Sequence, residues 1–222
     1  MTAVTTAPPN GKMNRGAVTR DAILVEASRL FAMRGYFGTS TRDIATAVGI
    51  KQPSLFHHFA TKQVIAEELL RYSVEAPLTL ARQLLDHPAP AAVRIYRYAW
   101  FDTRHLLTSP YDLTGIHRDD LIGAPEFVSW SRKAQQLRRD LQAIVRQGVA
   151  DGSLREVNPV LTQELISGMN LNTIRMAHTG RPSPSKNVPK FVADFILRAL
   201  LANPETLPKV ASQAGELEIP RC

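Results

Sequence analysis

Thr41-Arg-Asp-Ile-Ala-Thr-Ala-Val-Gly-Ile-Lys-Gln-Pro-Ser-Leu-Phe-His-His-Phe-Ala-Thr-Lys62 holds two short amphipathic segments on either side of one glycine. Ser40, just before the run, and Asp43, three residues later, make the pattern of a capping box, in which each side chain satisfies a backbone N–H of the other. The spacing predicts a helix over about Thr41–Val48. Gly49 supplies the left-handed residue of a tight turn. Pro53 suits the first turn of a second helix, about Gln52–Phe59, where a missing N–H has no partner to lose. Ile44, Ala45, Val48, Ile50, Leu55 and Phe59 fall inward, and small Ala45 lets the two helices cross closely. Gln52, Pro53, Ser54, His57 and His58 are left on the open side. A short polar-faced helix entering a major groove by its N-terminus is what base reading requires.

Outward from this unit the apolar spacing stays helical, with no convincing period-two run. A helix of about Thr19–Met33 precedes it, with Thr19 as N-cap, one face of Ile23, Ala27, Leu30 and Phe31, and Gly35 as its stop. Thr61 caps a fourth helix, about Lys62–Asp86, which Pro77 is expected to kink or break. Asp86–Pro90 interrupts the chain, and a fifth helix covers about Ala91–Leu107. Irregular chain over Ser109–Pro125 leads to a long helix, about Glu126–Ala150. Asn158-Pro159 opens the next helix, to about Thr179; Gly180–Pro189 is a loop, and a last helix covers about Lys190–Asn203. The expected fold is all-α. Residues 1–18 read as a flexible basic arm, 19–62 as a helix-turn-helix domain, 63–203 as a larger helical domain and 204–222 as a loose tail.

The composition sets limits. With 44% hydrophobic and 21% charged residues in 222, the chain can bury a core. Its one cysteine, Cys222, cannot form an internal disulfide, which fits a reducing cytoplasm. No apolar run is long enough to span a membrane, and the N-terminus lacks the apolar stretch of a secretory signal. From Lys12 to Lys62 there are eight basic and three acidic residues, so this quarter holds five of the seven net positive charges. A basic N-terminal module on a near-neutral body is the electrostatic footprint of nucleic-acid binding. Lys12 and Arg15 stand in the arm, where simple disorder competes with entry into a minor groove.

The run Thr41–Lys62, together with Leu30-Phe31 and Gly35-Tyr36-Phe37-Gly38-Thr39-Ser40 before it, resembles the helix-turn-helix of the TetR family of bacterial transcription regulators. The resemblance covers about Thr19–Leu70 closely; beyond that it rests on helix lengths and on the Asp151-Gly152 and Asn158-Pro159 junctions. It implies a ligand-responsive DNA-binding regulator, a repressor, that holds a near-palindromic double-stranded operator as a homodimer and is released by a small-molecule effector. It implies DNA contacts from Thr41, Arg42, Lys51, Gln52, Pro53, Ser54, Phe56, His57, His58 and Lys62, with Gln52–Ser54 meeting base edges and Lys62 clamping a phosphate. Two features depart from the pattern: Phe56 stands where many members have Tyr, and His57-His58 is an unusual pair. The dimer is expected along about 159–179 and 190–203, through Met169, Ile174, Phe191, Phe195, Ala199 and Leu200.

Residues for a ligand pocket come from the fifth helix. Tyr96, Trp100, Arg104 and His105 combine aromatic walls with groups that orient a polar end, and Met169 and Asn170 are candidates for the facing wall. Core packing is the competing reading of the aromatics, and a solvated basic stripe that of Arg94, Arg97 and Arg104. Asp102, His105, His117, Asp119 and Asp120 are a possible metal set, but the paired Glu-x-x-His repeats of a di-metal bundle are absent. No Gly-rich phosphate loop, nucleophile triad or reactive cysteine stands out, so no enzyme activity, no cofactor and no membrane partner is expected. The alternative is a helical-bundle protein that binds a small molecule or metal, with a basic head not used for DNA.

Overall fold

A computed structural model describes residues 15–117, 119–178 and 187–218. Its helices are α1 (Arg15–Arg34), α2 (Thr41–Val48), α3 (Gln52–His58), α4 (Lys62–Leu85), α5 (Ala91–Leu107), α6 (Asp119–Ile122), α7 (Val128–Ala150), α8 (Pro159–His178), α9 (Val188–Leu200) and α10 (Leu207–Glu216). Among the described residues the only β pairing is an isolated bridge between Leu154 and Leu201. Lys12, most of the arm, residues 180–186 of the 180–189 loop and Cys222 lie outside the described residues.

The local signals act as physical chemistry requires. Ser40 and Asp43 close the capping box, with Asp43 N donating to Ser40 Oγ at 3.1 Å and Ser40 N to Asp43 Oδ2 at 2.8 Å. The Ser40 hydroxyl, donating to Asp43 Oδ2 at 2.6 Å, and then the Ser40 N–H hold the Asp43 carboxyl below the usual carboxylate range. Gly49 takes φ 76°, a left-handed conformation that L side chains resist. Thr61 accepts from Val64 N and starts α4.

Four expectations need correction. Of the kink or break expected at Pro77, the break does not occur: α4 runs unbroken to Leu85 with Pro77 buried in it. Burial of Val74, Leu78, Ala81 and Leu84 along the same helix outweighs the one missing hydrogen bond. Residues 204–218 are not a loose tail: Pro204 opens a single 3-10 turn, and α10 follows with Leu207, Val210 and Ala214 buried against α5 and α9. Arg94 is not on a solvated stripe. It is buried, and its Nη1 donates to Leu84 O, Leu85 O and Gln147 Oε1, closing the C-terminal end of α4. Helix α1 also begins earlier than Thr19, at Arg15.

The apolar side chains form two clusters. One lies among the C-terminal half of α4, α5, α7, α9 and α10. The other joins α1–α3 and the first half of α4 to Leu106, Leu113, Ile116, Leu121, Phe127 and Trp130. The segment between α5 and α7 therefore belongs to the core of the N-terminal helices. It meets α1 closely at Gly115, where an added Cβ would collide with the backbone of Phe31 and Ala32. Beside it Asp112 N donates to Ser28 Oγ at 3.0 Å, and Tyr36 packs edge-on to both Phe31 and Phe127. Backbone meeting backbone cannot yield as a flexible side chain can. Gly115→Ala is expected to destabilise the fold by about 1–3 kcal/mol through overpacking. Urea unfolding checks this, and a midpoint equal to that of the native chain would show the backbones to be free to move apart.

Candidate functional site

The N-terminal surface is built by anchoring two short helices from behind. Leu55 and Phe59 are buried, which turns the other face of α3 outward. Arg42, Lys51, Pro53, Ser54, Phe56 and His57 are exposed, whereas Thr41, Gln52 and His58 are partly buried. Gln52 Nε2 donates to Thr41 Oγ1 at 2.9 Å, so the start of α3 is tied to the start of α2 and the Gln52 amide is held on the open side. Arg20, absent from the expected set, fixes the other end of α3. Its guanidinium donates to His58 O at 2.7 Å and to Glu68 at 2.8 Å and lies 4.1 Å above the Phe59 ring. The surface thus presents two exposed cations, Arg42 and Lys51, beside polar and apolar tips, the mixture that phosphate and base-edge contacts need.

Lys62 is turned differently from the expectation. Its Nζ donates to Tyr36 O and Thr39 O, both at 2.8 Å, and stands 4.1 Å over the Tyr36 ring. Burial pulls its pKa down, partly offset by Glu126. Two of its three N–H donors are thus committed to the chain's own 36–39 turn. Lys62 positions the turn that leads into α2.

A cavity of about 340 Å3 lies behind this head, at the small end of the range of ligand pockets. Helix α4 contributes Leu70, Ser73, Val74 and Pro77, and α5 contributes Tyr98, Asp102 and Leu106. His117 and Ile122 come from the segment packed on α1; Trp130, Leu137 and Leu141 from α7; Gln163, Asn170 and Ile174 from α8. Of the six expected pocket residues only Asn170 lines it. Tyr96 and Trp100 border a separate groove against α10, where Tyr96 Oη donates to Asp194 at 2.8 Å. Arg104 is exposed beside the Trp100 ring, and His105 stacks between Tyr72 and Phe101. Met169 packs on the first cluster. Tyr96, Trp100 and Arg104 each stand two positions from Tyr98 or Asp102, and two residues on an α-helix are about 200°.

The possible metal set is dispersed. Asp102 Oδ2 accepts from Asn170, His105 is stacked as described, and His117 Nε2 is 2.7 Å from Ser73 Oγ. The side chains of Asp119 and Asp120 lie outside the described residues. No three His, Cys, Asp or Glu among the described residues gather as metal ligands.

A third feature is an uncovered apolar face. Val160, Leu161 and Leu165 on α8 and Phe191 and Phe195 on α9 are each more than half exposed, and the two phenylalanine rings stack at 6.4 Å. Ala199 continues the α9 stripe one turn on. Ile174 and Leu200 do not belong to it: they are 1% and 7% exposed, inside their own protomer. On α8 the exposed row is Leu161, Leu165 and Met176, and Ile174 is turned to the cavity. No described helix is long and apolar enough to cross a membrane.

Residues 23–69 match the model of the bacterial regulatory proteins of the tetR family. The chain is 31% identical over 155 residues to the HTH-type transcriptional repressor KstR2 of Rhodococcus jostii, covering 68% of this chain and 74% of that protein. It is 29% identical over 178 residues to KstR2 of Mycolicibacterium smegmatis, covering 78% and 85%. The crystal structure of Mycobacterium smegmatis AmtR superposes with a TM-score of 0.73 at 26% identity, covering 96% of this chain and all of that one. With the helix-turn-helix, the cavity behind it and these relatives together, the chain belongs to the TetR family of bacterial transcription regulators.

Proposed function

We propose that this chain is a cytoplasmic transcriptional repressor that holds a two-fold operator as a homodimer and releases it when a small molecule fills the cavity. It works by binding alone, without catalysis. The observation that carries the reading is the shared wall: α4 and the 113–127 segment line the cavity and also form the core under α1–α3. Whatever changes the cavity's shape acts on the base of the reading head. Residues Val160, Leu161 and Leu165 with Phe191, Phe195 and Ala199 supply the seam, an isologous patch that buries itself against its own copy. The two recognition helices must sit about 34–36 Å apart to meet successive major grooves, so a modest change at α4 suffices to lose the match. A gel shift with the DNA upstream of its own gene tests the reading. A retarded complex that forms only when that DNA holds an inverted repeat supports it, and no complex at low salt overturns it.

Two outcomes follow for the head. Gln52→Ala should relax specificity at one operator position by about 1–3 kcal/mol, because the truncated side chain can no longer bond a base edge at two points. Arg42→Ala should weaken binding to every sequence and reduce the salt slope by about 0.9 for each phosphate that is no longer neutralised. Affinities for single-base operator variants at several salt concentrations separate the two, and identical profiles would refute the division of roles. For the seam, Phe195→Asp leaves a charge uncompensated between protomers and should give a folded monomer. Sedimentation velocity alongside circular dichroism decides this; a folded dimer would place the interface elsewhere.

A further inference from the structure

The cavity carries one polar device that its apolar walls do not explain. Asp102, Thr103 and Asn170 are all buried, at 9%, 1% and 2% exposure. Asn170 Nδ2 donates to Asp102 Oδ2 at 2.6 Å, and Thr103 Oγ1 donates to Asn170 Oδ1 at 3.0 Å. The direction of this relay is fixed. A carboxylate accepts only, so the amide must offer it N–H, which leaves the amide oxygen to accept from the threonine. Asp102 Oδ1 is left without a hydrogen-bond partner among the described residues, in a residue that lines the cavity. One turn earlier on the same face stands Tyr98, 3% exposed, and its hydroxyl too has no hydrogen-bond partner among the described residues. Burial raises the Asp102 pKa to about 6, against the bond from Asn170 and the nearby His105. Above that pH the cavity wall holds an accepting oxygen to which no described residue donates.

The surroundings limit what can answer it. Leu70, Val74, Pro77, Leu106, Trp130 and Ile174 provide apolar walls. His117 is neutral near pH 7, since burial lowers its pKa to about 4, and its Nε2 faces Ser73. The cation in the lining, Arg138 on α7, makes no ion pair with Asp102 among the described residues, so nothing beside Asp102 itself receives a ligand's acid group. A carboxylate there would place two anions together, and a ketone would set its oxygen against the carboxylate with no proton between them. An ammonium would satisfy Asp102 but has no lone pair, so the Tyr98 O–H would be left with nothing to donate to. An alcohol satisfies both, donating to Asp102 and accepting from Tyr98 with one oxygen. A site built around such a bond rejects analogues that lack it, because its own buried groups then go unpaired.

We infer that the effector is a compact, largely apolar alcohol whose hydroxyl lies between Asp102 Oδ1 and the Tyr98 hydroxyl, and that Asp102 selects against ketones and carboxylic acids of the same skeleton. The inference rests on the reading of this cavity as the effector site.

The two tryptophans of the chain are Trp100 and Trp130. Trp100 borders the separate groove, so Trp100→Phe leaves Trp130 as a fluorescent reporter in the cavity wall. The probes are 2-decalol, 2-decalone and decalin-2-carboxylate, titrated at pH 7.5. The alcohol is expected to bind at least tenfold more tightly than the ketone, with the acid weaker still. Asp102→Asn keeps an oxygen for Asn170 and presents an N–H to the ligand, so the alcohol-to-ketone ratio should fall at least tenfold. Equal affinities for alcohol and ketone, a ratio unchanged in Asp102→Asn, or no response to the alcohol would each overturn the inference. Ala134→Phe, which fills the cavity without any ligand, tests the underlying reading separately. A folded Ala134→Phe protein with unaltered operator affinity would remove the cavity from the switch and the inference with it, whereas lowered operator affinity beside equal probe affinities would leave the switch and overturn only the alcohol.

Discussion

The backbone of Gly115 lies against the backbone of Phe31, with no room for a side chain, and most of what this molecule can do depends on that contact. It pins the segment between α5 and α7 to α1. Ile116, Leu121 and Phe127 of that segment then share one core with Ile23, Ala27 and Phe31. A DNA-reading head of three short helices is too small to bury much surface alone. Here it borrows a wall from the helical body, and that same wall carries His117, Ile122 and Trp130 into the cavity. Stability of the head and sensitivity to the cavity are two consequences of one packing decision. Closely packed interiors do not deform smoothly, so a change in that wall is passed on and not absorbed.

The basic excess divides on physical grounds. Arg20, Lys62 and Arg94 each place cationic donors on backbone carbonyls: His58, Tyr36 with Thr39, and Leu84 with Leu85. Two of these three carbonyl sets lie at helix ends, where the last oxygens have no partner in the helix. These cations are structural. Arg42 and Lys51 are exposed on the open face of the helix-turn-helix, where long-range attraction to phosphate acts. Net charge counted along the chain does not separate these two kinds of cation; the hydrogen-bond partners do.

This explains what could be read from the sequence. The capping box at Ser40 and Asp43, Gly49 and Pro53 are local signals whose partners lie within a few residues, and they placed α2 and α3 to the residue or nearly so. The cavity was not legible, because α5 is buried on several faces at once. Tyr96 packs toward α9 and α10, and Tyr98 toward α4, α7 and α8. Periodicity reports that a helix is buried; it does not say which buried face fronts an empty volume. The arrangement of five helices decides that. Helix α10 was a different case. Leu207, Val210, Ala211 and Ala214 have helical spacing, with Pro204 before them and Pro208 among them. Both stand in the first turn of their element, where proline fits. The internal bonds of Lys62 are not legible in the sequence either, since its partners at 36 and 39 are reached only once the turn has folded back.

Helix α8 connects the remaining parts. Its inner side gives Gln163, Asn170 and Ile174 to the cavity, and its outer side gives Leu161 and Leu165 to the uncovered apolar face. Asn170 is tied across to α5 through Asp102 and Thr103. A molecule that engages Asp102 therefore acts on a bond that sets α8 against α5, while its apolar body presses on α4 and on the segment bound to α1. A ligand shifts an equilibrium only by its difference in affinity for the two states. Apolar contact alone is a weak discriminator, because greasy walls tolerate small displacements. A hydrogen bond to a buried carboxylate is steep in distance and angle, so it separates two positions of a helix that apolar contact would treat alike. That is the physical reason to place the effector's polar group at Asp102, where the cavity, the seam helix and the path to the reading head meet.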